Sequence, residues 1–307
     1  MAPTPDTAAL KPAALVAVVG RANVGKSTLV NALVGEKVSI VSPVAQTTRA
    51  RVRAILTEPR GQLVFLDTPG VHKAAYDLGR VMNRTARASV EGVDIVLLVL
   101  DASRPPREED VGWITRLGKM PGLCLVVLNK SDRGTDHAEA YRRAWNEATG
   151  EKAEGIKPAW LSVSGLTGQG VPELLEVLFA AAPPGPPLFP DDIVTDYPRK
   201  MIIADVIREK YFLVLKDELP HALAVEIETL DESPAGWIVE GTLYVQKASQ
   251  KGIVLGTRGR LLKRVKEAAE KELAEVYEHP VTLHLWVKVD KNWSRNYWRL
   301  KRLGYVE

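Results

Sequence analysis

The octapeptide Gly20-Arg21-Ala22-Asn23-Val24-Gly25-Lys26-Ser27 constrains the fold of this chain more than any other segment. It lies between an apolar run at 15–19 and a helically periodic stretch at 28–34. A G-x-x-x-x-G-K-S loop needs that setting. Its glycines turn backbone amides inward, and the helix that follows adds positive potential at its N-terminus. Such a strand–loop–helix unit cradles nucleotide phosphates. Gly20, Asn23, Val24, Gly25, Lys26, Ser27 and Thr28 are therefore expected to line the site. Lys26 reaches the β- and γ-phosphates, and the Ser27 hydroxyl meets Mg²⁺. A chance glycine-rich turn would not carry both flanking elements.

The same alternation continues downstream. Apolar runs at 52–56, 63–66, 95–100, 123–128 and 159–163 are rich in Val, Ile and Leu, as strands buried on both faces are. Helical periodicity fills most gaps. Residues 14–182 thus read as an α/β domain, a mainly parallel sheet with helices on both faces. Residues 1–13 are rich in Ala, Pro and Thr and read as a flexible tail, not a secretory signal. The stretch Pro183-Pro184-Gly185-Pro186-Pro187-Leu188-Phe189-Pro190 suits neither a helix nor a central strand. It predicts a stiff, extended linker over 183–198. Beyond it, residues 199–307 read as an α+β domain. Helix 200–215 precedes strands 222–229 and 237–245, then a helix, a turn at 256–259, a long helix to 277, strand 281–289 and a last helix at 293–303. No internal repeat is visible.

Two domains fit a length of 307 residues, and 46% hydrophobic against 26% charged residues can fill two cores. The single cysteine, Cys124, excludes an intrachain disulfide and fits a reducing cytoplasm. It stands in an apolar run and reads as a core thiol. No stretch is long and apolar enough to span a bilayer.

Three further motifs follow predicted strands. Asp67-Thr68-Pro69-Gly70 closes the run at 63–66. Asp67 can hold Mg²⁺ through a water, and the Gly70 amide can meet the γ-phosphate. Asn129-Lys130-Ser131-Asp132 closes the run at 123–128. Asp132 can accept two hydrogen bonds from guanine N1–H and its amino group, donors that adenine lacks on that edge. Asn129 can bond N7 and tie neighbouring loops, while the Lys130 stem packs on the base. Val163-Ser164-Gly165-Leu166 is weaker; backbone groups at Ser164 and Gly165 could read guanine O6, and alone it is an ordinary loop. The segment Ser42-Pro43-Val44-Ala45-Gln46-Thr47-Thr48-Arg49 offers a threonine hydroxyl to complete Mg²⁺ coordination in the triphosphate state. After Gly70 comes Val71, which cannot orient a water as the glutamine of many signalling GTPases does. Slow intrinsic hydrolysis follows.

In the second half, Gly256-Thr257-Arg258-Gly259 is a GxxG loop between helical segments. Seven Lys or Arg and no acid fall between Lys247 and Lys266, although 191–307 holds nineteen of each sign. A lone GxxG is usually a plain turn, and a charge run usually a solvated face. Their coincidence favours single-stranded RNA at Lys247, Lys251, Gly256, Thr257, Arg258, Gly259, Arg260 and Lys263. Leu261, Val265, Ala268 and Val276 at helical spacing, and Trp293, Tyr297 and Leu300, are expected to face the core. Lys291, Arg295, Arg299, Lys301 and Arg302 fit RNA, anionic lipid or a solvated helix face.

With Leu219-Pro220-His221-Ala222-Leu223-Ala224-Val225-Glu226 and Val245-Gln246-Lys247-Ala248-Ser249-Gln250-Lys251-Gly252-Ile253-Val254-Leu255 added to these motifs, the chain resembles the Era family of GTPases from about residue 14 to 305. The resemblance implies a P-loop GTPase domain followed by a type II KH domain. It also implies binding near the 3′ end of small-subunit ribosomal RNA and a role in assembling that subunit. It singles out Thr48 over Thr47 as the Mg²⁺ ligand, making Lys26, Thr48 and Gly70 the catalytic set and Ser27, Thr48 and Asp67 the metal set. It raises potassium near Asn23. The apolar Val71 is in keeping with the family; Gly165 departs from a usual alanine, which predicts a looser guanine loop. A monomer in the cytoplasm is expected. The alternatives are a regulatory GTPase at the inner membrane and an RNA-binding module that uses GTP only as a ligand.

Overall fold

The computed structural model describes residues 10–42, 44, 47–71, 77–120, 122–150 and 158–306. In chain order the elements are β1 (Lys11–Val19), α1 (Lys26–Val34), β2 (Val52–Glu58), β3 (Gly61–Asp67), α2 (Asp77–Ala88), β4 (Ile95–Asp101), α3 (Glu108–Leu117), β5 (Leu123–Asn129), α4 (Ala138–Thr149), β6 (Ala159–Ser162), α5 (Val171–Ala181) and β7 (Pro184–Gly185). They continue with α6 (Arg199–Phe212), α7 (Leu219–Ala222), β8 (Ala224–Ser233), β9 (Gly236–Val245), α8 (Ala248–Leu255), α9 (Arg260–Tyr277), β10 (Val281–Val289) and α10 (Tyr297–Arg302). By packing, the described residues divide into two units. One holds the chain up to Ser39, Arg51–Thr68 and Arg87–Asp196; the other holds Ile40–Ala50, Pro69–Ala86 and Tyr197–Glu307.

The sheet of the first unit runs β2-β3-β1-β4-β5-β6. Only β2 and β7 are antiparallel to their neighbours. The Val-, Ile- and Leu-rich central strands are buried on both faces, as parallel strands between helical layers must be. Val16, Val18, Phe65, Leu97 and Val127 pack with Leu29 and Leu33 of α1 and Leu174 and Leu178 of α5. Lys11–Ala13, expected in the flexible tail, belong to β1; Ala13 pairs with Gln62, and its amide donates to Pro183 O at 2.9 Å. The rest of that tail, 1–9, lies outside the described residues.

Residues 183–196, within the stretch expected to form a stiff, extended linker, are bonded to the sheet of the first unit. Pro184–Gly185 pairs with the start of β1. The buried Gln62 carboxamide accepts from Leu188 N and Phe189 N at 2.7 and 2.9 Å and donates to Phe189 O at 2.9 Å. Val194 O then accepts from Ile55 N at 2.8 Å, so the segment covers the β2 edge. A proline-rich strand is tolerated here because an edge needs few of its amides.

The second unit's sheet runs β10-β9-β8, with β9 parallel to β10 and antiparallel to β8. Ile203, Ile207 and Tyr211 of α6 and Val265, Ala269 and Leu273 of α9 cover one face of it. Val265 faces the core as expected, whereas Ala269 and Leu273 fill it in place of Ala268 and Val276, which are exposed; Leu261 is half-buried. The last helix is shorter than expected. Trp293 precedes it and is fully buried, with its indole N–H donating to Ala222 O at 3.0 Å, whereas Tyr297 is exposed. Trp293, Leu300, Leu303 and Tyr305 form a second apolar cluster with Tyr244, Leu78 and Met82.

Candidate nucleotide and nucleic-acid sites

The phosphate loop leaves β1 at Gly20, where a Cβ would stand 2.4 Å from Val99 O on the neighbouring strand. Asn23 and Gly25 both adopt left-handed backbone, φ 64° and 94°, so consecutive amides can turn toward one anion. A Cβ on Gly25 would meet Asn129 Nδ2 at 2.5 Å. Helix α1 starts at Lys26 with no acid in its first turn, leaving its N-terminal potential positive. Lys26 Nζ donates to Arg21 O at 3.0 Å and Gly20 O at 3.3 Å. Burial draws its ammonium down from 10.5 to about 8, with Asp67 pulling the other way. Phosphate oxygens are better partners for it than two carbonyls. Thr28 is half-buried and Val24 fully buried.

Asp67 ends β3 fully buried, and Ser27 Oγ donates to its Oδ2 at 2.7 Å. Two hard oxygen groups side by side at a helix N-terminus fit Mg²⁺, which takes a hydroxyl and a carboxylate beside phosphate oxygens. Thr68, between Asp67 and Pro69, is locked by its hydroxyl to Val18 O at 2.8 Å.

Asn129, at the end of β5, joins three loops. Its Nδ2 donates to Val24 O at 2.9 Å, and its Oδ1 accepts from Gly165 N at 3.0 Å. Gly165 is not on a looser loop. A Cβ there would sit 2.9 Å from Leu29 N and Cα, so the glycine lets the loop press against α1. Ser164 contributes its side chain as well as its backbone: Oγ donates to Asp132 Oδ1 at 2.5 Å and orients the carboxylate expected to read guanine.

Lys130 has φ 64°, and its ammonium bridges Asn23 O at 2.6 Å and Asp101 Oδ2 at 2.8 Å. Burial works against the Asp101 charge, yet the bonds from Lys130 and Ser103 outweigh it and hold the carboxyl below its ordinary range. Sequence reasoning missed Asp101. Its signal is register, since it stands opposite Asn129 on adjacent strands. The Arg21–Asp110 pair, 3.1 Å and buried, was missed too; Asp110 also accepts from Arg107 N at 3.0 Å and so joins the phosphate loop to the start of α3.

Thr47, Thr48 and Gly70 fall in the second unit. The Thr47 hydroxyl donates to Val44 O at 2.7 Å and lies 2.9 Å from Ser42 Oγ, so it closes a turn. Pro43, Ala45 and Gln46 of that loop lie outside the described residues.

The GxxG loop joins α8 to α9 through left-handed backbone at Gly256 and Gly259, φ 70° and 75°, and at Arg258, φ 54°. A Cβ on Gly256 would strike Leu261 at 2.7 Å. Thr257, Arg258, Arg260 and Lys247 are exposed, Lys251 half-buried, and Lys263 lies 3.8 Å from Glu267 at helical spacing. Ile253, half exposed on α8, adds an apolar surface near the loop that sequence reasoning did not single out. Arg299, by contrast, is engaged with Glu226 at 2.8 Å and Tyr244 Oη at 2.9 Å, which removes it from the cations expected to meet RNA or lipid.

Comparison with known proteins agrees with this geometry. A family model described as 50S ribosome-binding GTPase matches residues 15–130, and a KH domain model matches 218–294. GTPase Era of Geotalea uraniireducens is 40% identical over 291 residues, 94% of this chain and 96% of that protein. Its counterpart in a Synechocystis species is 39% identical over 94% and 91%. A crystal structure of an Aquifex aeolicus Era variant bound to GDP·AlF₄⁻ superposes with a TM-score of 0.88 at 34% identity, covering 96% of this chain and all of that one. A structure of Era with MgGDPNP and nucleotides 1506–1542 of 16S ribosomal RNA gives 0.89 at 34%, covering 97% and 100%. A phosphate loop, an Asn129–Asp132 loop expected to read guanine and a GxxG turn in one chain, with likeness of this extent, mean that the protein belongs to the Era family of GTPases.

Proposed function

We propose that the chain binds GTP with Mg²⁺ through residues 14–182, hydrolyses it slowly, and binds the single-stranded 3′ region of small-subunit ribosomal RNA through a type II KH domain at 199–307. In that role it assists assembly of the small subunit. The observation that carries the reading is the Asn129 carboxamide, which ties the phosphate loop to the Ser164–Gly165 loop while Ser164 aims the Asp132 carboxylate. Phosphate and base recognition are thereby held in one frame. Relatives crystallised with MgGDPNP, GDP·AlF₄⁻ and 16S ribosomal RNA support the extension to turnover and RNA.

Within the site, loop amides and Lys26 would hold the β- and γ-phosphates, and Ser27, Thr48 and, through a water, Asp67 would hold the metal. Bound Mg²⁺ supplies charge neutralisation on those phosphates. The Gly70 amide meets the γ-phosphate without a side chain in the way. Val71 offers no hydrogen bond to the attacking water, so slow intrinsic hydrolysis would be aided by a potassium ion near Asn23, by another loop or by the ribosome. The Arg258 cation and the N-terminus of α9 meet RNA phosphates. Among the described residues no helix is long and apolar enough to cross a membrane. We expect a cytoplasmic monomer, with peripheral inner-membrane contact through Lys291, Arg295 and Lys301 as the alternative. Phosphate release by the pure chain, with and without a 3′ rRNA oligonucleotide and in potassium or sodium, tests the reading. No release under any of these conditions would leave GTP a ligand only.

A further inference from the structure

The segment that carries Thr48 is fastened from within the second unit. Val41 N donates to Glu209 Oε1 at 2.8 Å. Thr47 O accepts from Arg208 Nη2 at 2.7 Å. Arg49 Nη1 donates to Leu223 O at 2.7 Å, and its Nη2 to Pro220 O at 2.9 Å. Both guanidiniums then share one hydroxyl: Tyr305 Oη accepts from Arg208 Nη1 at 2.8 Å and from Arg49 Nη1 at 3.4 Å. Asp205 lies 2.9 Å from Arg208. Arg49 and Arg208 are each 1% exposed, and the rings of Phe212, Trp293 and Tyr305 stand 5.6–5.7 Å from Arg49 Cζ.

A guanidinium is costly to bury unless its donors are met. Here two are buried, and with Glu209 they tie the loop at Val41, Thr47 and Arg49 to α6, α7 and the C-terminal Tyr305. Thr48 stands between an anchored carbonyl at Thr47 and an anchored side chain at Arg49.

We infer that Arg49, Arg208 and Tyr305 are positioning residues for GTP hydrolysis: Arg208 and Tyr305, from the C-terminal half of the chain, engage the Thr47 carbonyl and the Arg49 guanidinium and so hold in place the segment that presents the Thr48 hydroxyl. The inference rests on the reading of Thr48 given above. None of the three residues belongs to the phosphate or guanine loops, so nucleotide affinity and turnover should respond differently to their loss.

The test uses the full chain with Tyr305→Phe, which removes only the shared hydroxyl, and Arg49→Lys, which keeps a cation but loses the planar fork. Hydrogen exchange of amides in 40–50 is expected to quicken in both. The half-saturating Mg²⁺ concentration for hydrolysis should rise roughly tenfold, the size of one lost charge-assisted hydrogen bond, and kcat should fall. GDP affinity should stay within twofold, ~0.4 kcal/mol, of the wild type. Unchanged exchange and Mg²⁺ dependence would overturn the inference. So would a fall in GDP affinity in step with melting temperature, which marks a merely structural role, or a rise in kcat, which marks a restraint. A wild type without Mg²⁺-dependent turnover would sink the hydrolysis reading itself; unchanged variants beside an active wild type sink only the inference.

Discussion

Lys26 shows how one buried group sets a pH response. Its folded value, about 8, lies below the 10.5 of the free side chain because burial disfavours the charge. Between those values the unfolded chain holds a proton that the folded chain has released, so this group's contribution to stability rises with pH across that window. Bound phosphate should restore the charge. Nucleotide binding just above pH 8 is therefore expected to take up a proton, and affinity to fall as pH rises further. Calorimetry in buffers of different ionisation heat measures the uptake; a value of zero, or the same uptake in Lys26→Ala, would refute it. Asp132→Asn is a second residue-scale test. Each lost charge-assisted bond to guanine is worth about 1.5–3 kcal/mol, so GTP affinity should drop by roughly a hundredfold or more. Xanthosine triphosphate binding should appear, because xanthine replaces a donor with an acceptor that an amide can meet. Ser164 can still bond the new carboxamide oxygen. Equal losses for both nucleotides would remove Asp132 from base recognition.

At the scale of elements, Gln62 carries the attachment of 183–190. Gln62→Leu would leave Leu188 N and Phe189 N without their acceptor, at a cost of about 2–4 kcal/mol. The midpoint of urea unfolding should fall accordingly, and proteases should cut near Leu188; an unchanged midpoint with no new cleavage would show the strap to be held by its prolines alone. The sequence makes no such attachment visible. A single glutamine in an apolar strand reads as a face residue, and its partners lie 126 and 127 positions away. Strand ends were legible for the opposite reason. Asp67 and Asn129 each close an apolar run, and a parallel sheet places such ends together. Arg49, Arg208 and Glu209 were not legible as buried groups, because charge on a helix or loop ordinarily means solvent. On α9 the periodicity and Val265 were legible, but the choice one turn on was not: Ala268 and Ala269 are equally apolar, and only packing against α6 decides which faces in.

For the whole molecule, the two activities should separate by mutation. Replacing Thr257 and Arg258 by aspartates puts negative charge where RNA phosphates must approach, so binding of a 3′ rRNA oligonucleotide should be lost while GTP affinity is kept. Oligonucleotide affinity retained at moderate salt would move the RNA site toward Lys291, Arg295 and Lys301. The second unit has a further consequence for protein engineering. It is discontinuous: Leu78 and Met82 complete its apolar cluster with Trp293 and Leu300, and Arg49 occupies its interior. An excised fragment that starts at Tyr197 would expose that cluster to water and keep the Pro220 and Leu223 carbonyls without their cation. During synthesis the unit's earliest segment leaves the ribosome more than two hundred residues before its last, so the C-terminal module matures only after its N-terminal pieces have waited for it. Portability is thus lost to the same contacts that fasten the loop, and a graft of this module onto another protein would have to carry residues 40–50 and 69–86 with it.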